Sequence, residues 1–472
     1  MMTAHAPIRS VDDLRGRRAV VLGLARSGVA AARFLSDAGA VVAAYDRRPA
    51  GELAEEVTSL GGRPVRLALG IDEAAAVALL AHADLLVTSP SVSARFPTTD
   101  PWLREALSAA EARGATIVSE VDLFLRITRA RILAVTGTKG KTTTASLLAA
   151  ILRTASVPSV LGGNIGIPLV EQAATLQRGT WAVLELSELQ LPTISRGADI
   201  ALYTNIGADH LDRHGTVEAY RAVKARLAEL SADDGTIVLN HDDPGCRDLG
   251  DRLPPDRVAW YGHEPPGRGV MEAWIADGWI TVAGERLIAD RDVPLPGRHM
   301  RSNVLGAALA ARLAGTPVDA IGTAIREFPG VPHRLELIAE TGGMRWVNDS
   351  QATIPAAAMA AMEAFDTPIV LITGGKDKGV PYDDFVEALV AHVRGAVLIG
   401  ETADELEQRI AGRVPVRRAG SMDEAVTLAT GLGHDGDVVL MAPAAASFDM
   451  FEDYAARGDA FRDAVLRLGD RT

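Results

Sequence analysis

The sequence predicts an α/β protein of three domains, and three observations carry that prediction. Short β-branched runs alternate with Ala- and Leu-rich stretches of helical period, as in βαβ units built around largely parallel sheets. Two glycine-bearing turns, opening at Gly23 and Gly137, each join such a run to a helical stretch. The 472 residues are more than one core normally serves, and at 48% apolar content they can fill several.

The first block opens with the strand Arg18–Leu22 and the turn Gly23-Leu-Ala-Arg-Ser-Gly28. A helix over Val29–Ala38, a strand Val41–Tyr45 ending at Asp46, and a strand Leu85–Thr88 running into Ser89-Pro90-Ser91 follow, and the block closes near Gly114. The turn is nearly a dinucleotide fingerprint: its amides and helix start suit a pyrophosphate, and Asp46 suits a ribose or base. A tight βα turn that binds nothing has the same pattern, and a nicotinamide-dependent dehydrogenase is the functional rival.

The second block begins with the strand Arg131–Thr136 and the loop Gly137-Thr138-Lys139-Gly140-Lys141-Thr142-Thr143. Amides of such a loop surround β- and γ-phosphates, Lys141 neutralises charge there, and the Thr142 hydroxyl can ligate Mg²⁺. The full phosphate-loop pattern has Gly where this chain has Val135. Strands over Trp181–Leu186 and Ile200–Asn205 follow, then a β-rich patch between Val258 and Leu295 and a helix over Ser302–Leu313. Glu185 and His210 fall at or just beyond strand ends, where phosphate-loop proteins place metal or water ligands. A structural histidine is the bland alternative for His210, and a solvated helix face is the default for Lys224.

The last block repeats strand–loop–helix three times, with strands Met344–Val347, Pro368–Thr373 and Val438–Met441. Their ends carry Asn348-Asp349-Ser350-Gln351-Ala352-Thr353, Gly374 to Lys378-Gly379, and Pro443 to Ser447-Phe-Asp449. Polar loops at successive strand ends make a crevice.

Composition removes several classes. The formal charge is −13, with no basic run, so nucleic-acid binding is not expected. No stretch reaches ~18 consecutive apolar residues and the first residues lack the apolar core of a signal peptide, so no membrane insertion and a cytoplasmic location are expected. Cys246 is the sole cysteine, which rules out an internal disulfide.

Taken together, the chain resembles the Mur ligases, and within them the members that add D-glutamate. The carriers are Thr136 to Thr142, Gly163-Asn-Ile-Gly166, Leu184-Glu-Leu-Ser187 with Gln190, Asp209-His-Leu-Asp212, and Tyr220-Arg-x-x-Lys224. Gly297-Arg-His with Asn303, His333-Arg334, Asn348-Asp-Ser350 and Ser447-Phe-Asp449 complete the set in family order. The resemblance implies that residues 1–114 form a Rossmann-like domain binding a UDP-linked substrate and 115–330 a central phosphate-loop ATPase-like domain. Residues 331–472 are then a C-terminal Rossmann-like domain binding glutamate. It implies ATP and two Mg²⁺ ions as cofactors, UDP-N-acetylmuramoyl-L-alanine and glutamate as substrates, and a monomer.

Residue by residue, the resemblance gives Lys141, His210 and Lys224 catalytic roles, with Lys224 carbamylated, and gives metal ligation to Thr142, Glu185, His210 and Lys224. Gly137 to Thr143, Asn303, Arg334 and Asp349 hold ATP. Ser27, Asp46, Arg48, Asn164 and Gln190 hold the UDP-linked substrate, and Thr353, Lys378, Ser447 and Tyr454 hold glutamate. Four positions depart from the family pattern: Lys139 replaces a common Asn, Ser187-Glu-Leu-Gln190 replaces Ser-Ser-Phe-Gln, Gln351 replaces Lys, and Met300 replaces an Asn near adenine. Gln351 removes a cation close to the glutamate pocket, which keeps an L-glutamate-adding or folylpolyglutamate-type ligase open. A non-catalytic ATP-binding regulator is the remaining rival, and Glu185, His210 and Lys224 argue against it.

Overall fold

The structure, a computed structural model, describes residues 7–207, 214–295 and 297–469. Three sheets organise the described residues. The first contains β1 (Arg18–Leu22), β2 (Val41–Asp46), β3 (Val65–Leu69), β4 (Leu85–Thr88) and β5 (Thr116–Ser119), in the order β3-β2-β1-β4-β5 and parallel throughout. Because β5 pairs with β4, this sheet runs past the division near Gly114 that composition suggests.

The second sheet contains β6 (Arg131–Thr136), β7 (Ser159–Gly163), β8 (Trp181–Glu185), β9 (Ile200–Tyr203), β10 (Thr236–Asn240) and β11 (Val258–Tyr261). The sheet's far edge is made by β12 (Glu272–Ala276), β13 (Trp279–Val282) and β14 (Glu285–Ala289), which form the expected β-rich patch. Its order, β14-β13-β12-β11-β10-β9-β6-β8-β7, puts β6 between β9 and β8, all three parallel. Loops that follow these three strands therefore meet at one edge.

The third sheet contains β15 (Glu336–Thr341), β16 (Met344–Asn348), β17 (Ile369–Gly374), β18 (Val393–Ile399), β19 (Val416–Ala419) and β20 (Val438–Met441), ordered β15-β16-β20-β17-β18-β19. Sequence reading finds three of these strands. It misses β15, a half-buried antiparallel edge, β18, which leaves the helix Asp383–His392 with no turn residue between, and β19, a short half-exposed edge strand.

One apolar cluster joins Val21, Leu35 and Leu85 of the first sheet's layer to Ile132, Leu184 and Ile237 of the second. Accordingly residues 1–292 and 302–326 form one compact unit. Residues 293–301 and 327–472 form another, with its own core of Trp346, Val370, Ile372, Val397 and Phe461. No helix of the described residues is long and apolar enough to cross a membrane.

Two helices start earlier than periodicity indicates, at Arg26 and Arg298. The first includes Gly28, where a Cβ would collide with the Gly23 carbonyl. Only glycine lets that first turn pack onto the strand end.

Candidate active site

At the C-terminal end of β6 the chain turns through residues 137–140 into the helix Lys141–Thr154. Gly140 has φ 82°, and a Cβ there would strike Asn303 Oδ1, so the loop lies against the helix Arg298–Leu313 at that residue. Lys141 Nζ donates to the Gly137 and Thr138 carbonyls, both at 3.0 Å, curling over the loop. From β9, Asn205 clamps the same loop: its Oδ1 accepts from Lys139 N at 2.9 Å and its Nδ2 donates to Lys139 O at 3.1 Å. Thr204 Oγ1 adds a second donor to Lys139 O at 2.5 Å. A loop held on its outer side keeps its amides in place for an anion.

Lys224 departs from the default of a solvated helix face. It is fully buried on the helix Val217–Leu230, and its Nζ donates to Gly137 O at 3.0 Å and Thr136 Oγ1 at 3.3 Å. Tyr220, one turn earlier, places its hydroxyl 3.0 Å from Thr138 Oγ1. Two lysines thus reach the Gly137 carbonyl, one from the helix that follows the loop and one from the helix Val217–Leu230. Glu185 ends β8 beside β6, in register with Val135, and is 1% exposed. Its Oε1 accepts from Asn164 Nδ2 at 2.9 Å, while its buried Oε2 has no hydrogen-bond partner among the described residues.

In the first sheet, β1 and β4 flank the point where strand order reverses, and a cleft of about 510 Å³ opens there. Gly23, Asp46, Arg48, Ser89 and Asp100 line it. Asp46 Oδ2 accepts from Leu24 N at 2.9 Å, and its carboxylate also meets the Arg48 guanidinium at 3.1 Å. Burial works to raise the Asp46 pKa, but the hydrogen bonds from Arg48 and Leu24 outweigh it and the net shift is downward. Ser27 lies in the first turn of a helix whose N-cap, Ala25, supplies no side-chain cap. Gln190 is buried and accepts from Ser187 N at 3.0 Å.

The second unit holds the remaining candidates. Arg334 lies between His333 and Leu335, both with positive φ (62° and 44°), a strained turn of the kind found at ligand sites. Asp349 Oδ1 accepts from Leu335 N at 3.0 Å. Burial pushes its pKa up to about 6, against the opposing effects of that amide and the Arg334 charge. Because the folded value exceeds the unfolded one, the fold binds this proton more tightly. Stability should therefore fall as pH rises from about 4 to about 6. Asp349→Asn should flatten that slope in urea unfolding measured across the window. At the neighbouring strand ends, Lys378 Nζ donates to Thr353 Oγ1 at 3.0 Å, Ser447 is buried, and Tyr454 is partly exposed.

Models of three domains match the chain in order: Mur ligase MurD-like, N-terminal domain, at 17–119; Mur ligase middle domain at 135–311; and Mur ligase, glutamate ligase domain, at 333–445. The chain is 39% identical over 463 residues to the UDP-N-acetylmuramoylalanine–D-glutamate ligase of Acidobacterium capsulatum, spanning 96% of this chain and 97% of that protein. It is also 39% identical over 460 residues to the enzyme of that name from Solibacter usitatus, spanning 96% and 99%. The chain belongs to the Mur ligase family.

Solved structures agree in fold. The UDP-N-acetylmuramate-alanine ligase of Thermotoga maritima superposes with a TM-score of 0.59 at 17% identity, over 97% of this chain and all (100%) of that one. A pseudomurein peptide ligase type C from Methanothermus fervidus gives 0.55 at 18% identity, over 96% and 100%.

In this Mur ligase the structure brings Lys141, Lys224, Thr138, Lys139 and Asn303 around one loop, and ties Asn164 to Glu185. Arg334, Asp349, Thr353, Lys378, Ser447 and Tyr454 all belong to the second unit. His210 lies outside the described residues, as do Asp209 and Asp212. Sequence reasoning assigned no role to Asn205, although it stands at a strand end beside the loop, which is the signal that could have found it.

A metal site can be tested on the donor set. Among the described residues no three His, Cys, Asp or Glu side chains gather as a cluster. Yet the open Glu185 Oε2 and the Thr142 hydroxyl are hard oxygen donors of the type Mg²⁺ takes. The residues fit such an ion.

Proposed function

We propose that this chain is an ATP-dependent ligase that joins D-glutamate to UDP-N-acetylmuramoyl-L-alanine, a cytoplasmic step of peptidoglycan precursor synthesis. The observation that carries the reading is the phosphate loop gripped by Lys141 and Lys224 beside the open carboxylate of Glu185. It sits in a chain similar over nearly its whole length to ligases of that name.

The chemistry needs anions brought together. A carboxylate oxygen of the sugar-linked substrate attacks the ATP γ-phosphorus, and ADP leaves with the bridging oxygen. The glutamate amine then adds to the acyl carbon, loses a proton, and phosphate departs. Positioning and charge stabilisation supply most of the rate in such transfers. Loop amides 137–143 and Lys141 are assigned to the β- and γ-phosphates, with Asn303 toward adenine and Arg334 and Asp349 toward phosphate and ribose. Ionised Asp349 suits a hydroxyl donor, so ATP binding should weaken as pH falls through about 6.

Thr142, Glu185, His210 and a carbamylated Lys224 are the residues that would hold Mg²⁺. When bound, the ions screen the phosphates and the acceptor carboxylate. Ser27, Asp46, Arg48, Asn164 and Gln190 are assigned to the UDP-linked substrate, whose uracil end fits the cleft at β1 and β4. Thr353, Lys378, Ser447 and Tyr454 are assigned to glutamate. A monomer is the proposed working form.

The test is phosphate release from ATP with UDP-N-acetylmuramoyl-L-alanine and each glutamate enantiomer. D-Glutamate should support turnover and L-glutamate should not. The reverse outcome would overturn the specificity, and release with neither would overturn the ligase reading.

A further inference from the structure

In the second unit, Arg457 stands in the first turn of the helix Tyr454–Gly469 and is 1% exposed. Its guanidinium is engaged on two sides. Nε donates to Ser350 Oγ at 3.0 Å and Nη2 to Ser350 O at 2.9 Å, while Nη1 donates to Ala446 O at 3.1 Å and Ala445 O at 3.2 Å. Every one of these acceptors is neutral. Asp449 is the acid whose charge reaches Arg457, and its carboxylate is itself held by Glu401 N at 2.9 Å.

The atoms that Arg457 grips belong to loops that carry the residues assigned to glutamate. Ser350 lies between β16 and Thr353, and Ala445 and Ala446 lead from β20 into Ser447. Ala446 also forms a two-way backbone bridge with Lys376, on the β17 loop that bears Lys378 (2.8 and 3.1 Å). That loop comes so close that a Cβ on Gly375 would lie 3.1 Å from Nη1 and collide with Ala446 O. Ser350 Oγ in turn donates to Tyr454 O at 2.7 Å, and Gly458 O accepts from Asn348 Nδ2 at 3.1 Å. One planar fork therefore fastens two strand ends to one helix, and the Ala446–Lys376 bridge extends its hold to the third, a task that the point charge of a lysine cannot duplicate.

We propose that Arg457 is the positioning residue of the amino-acid pocket: it locks the loops after β16, β17 and β20 into one preformed concavity, and its charge, unmatched by any hydrogen-bonded carboxylate, selects a dicarboxylic amino acid. This rests on the ligase reading above. The effect on Lys378 points the same way: burial, then the Arg457 charge, draws its pKa down, so the two cations share one field.

The test compares wild type, Arg457→Gln and Arg457→Lys with D-glutamate and with D-glutamine, its near-isosteric neutral probe. In Arg457→Gln the KM for D-glutamate should rise by at least about tenfold, with the KM values for ATP and the sugar nucleotide little changed. The preference for D-glutamate over D-glutamine should narrow, and Arg457→Lys should recover part of it. Equal losses for both amino acids, or three KM values rising together, would overturn the proposal. If Arg457→Gln does not fold, Arg457→Lys, which keeps the charge and loses the fork, should raise the KM for both amino acids while retaining the preference for D-glutamate, and a lost preference there would overturn the role of the charge.

Hydrogen exchange without substrate separates this idea from the function reading. Faster exchange confined to 348–353, 374–379 and 443–447 in the variant supports the lock, and unchanged exchange there refutes it. Wild type that releases no phosphate with D-glutamate refutes the ligase reading, and the exchange result then decides the lock alone.

Discussion

Lys141→Ala is expected to lower ligation by at least about three orders of magnitude while the protein stays folded. Phosphoryl transfer to a carboxylate leaves little covalent work for the protein, so loss of the cation proposed to meet the β- and γ-phosphates would remove much of the transition-state stabilisation. The folded state loses less. Lys141 Nζ donates to carbonyls of its own loop, Gly137 O and Thr138 O. Two such bonds contribute roughly 1 kcal/mol each, a shift of a few degrees in melting temperature for a chain of this size. The loop would still be clamped from outside by Asn205 and Thr204. Phosphate-release kinetics beside a circular-dichroism melt would check both halves, and a variant retaining a tenth of wild-type turnover would remove Lys141 from the mechanism. A nicotinamide-dependent oxidoreductase built on the Gly23 turn would be indifferent to this change.

The phosphate loop was legible because strand, turn and helix are contiguous, so spacing alone determines their geometry. The sheet edge around it was partly legible, since Glu185 ends a strand that reads as one. The buried cations were legible only in part: the family resemblance singled out Lys224, while nothing singled out Arg457. Both Lys224 and Arg457 fall on helices whose composition looks amphipathic, and a charged residue there is assigned to the solvent side by default. Yet each lies on the apolar stripe of its own helix: Tyr220, Lys224, Leu227 and Ala228 are buried in one, Arg457, Phe461, Ala464 and Val465 in the other. Those spacings are i, i+4, i+7 and i+8, a continuous face at 3.6 residues per turn. A cation on that stripe is the signal that periodicity itself offers, and it marks a charge the fold has to satisfy with internal oxygens. The cleft of the first sheet was legible only in its parts: the Gly23 turn follows β1 and Asp46 closes β2, while the strand order that brings them together emerges only in the fold.

Lys224→Arg is expected to be nearly as damaging as Lys141→Ala, although it preserves the charge. The lysine amine sits with no exposed surface among Thr136 Oγ1 and Gly137 O, with the Tyr220 ring centroid 5.5 Å away. A guanidinium is wider and cannot form a carbamate, so the proposed anionic oxygen ligand is lost along with the fit. Loss by about two to three orders of magnitude follows if that ligand organises the metal and phosphate charges. A second measurement distinguishes carbamate chemistry from simple crowding. Wild type equilibrated in carbon-dioxide-free buffer should lose activity and regain it on adding bicarbonate, while Lys224→Arg should not respond. Full wild-type activity without carbon dioxide would show that the free amine is the working form. Its bonds to Thr136 and Gly137 would then be its function, steadying the loop from beneath while Lys141 meets the phosphates.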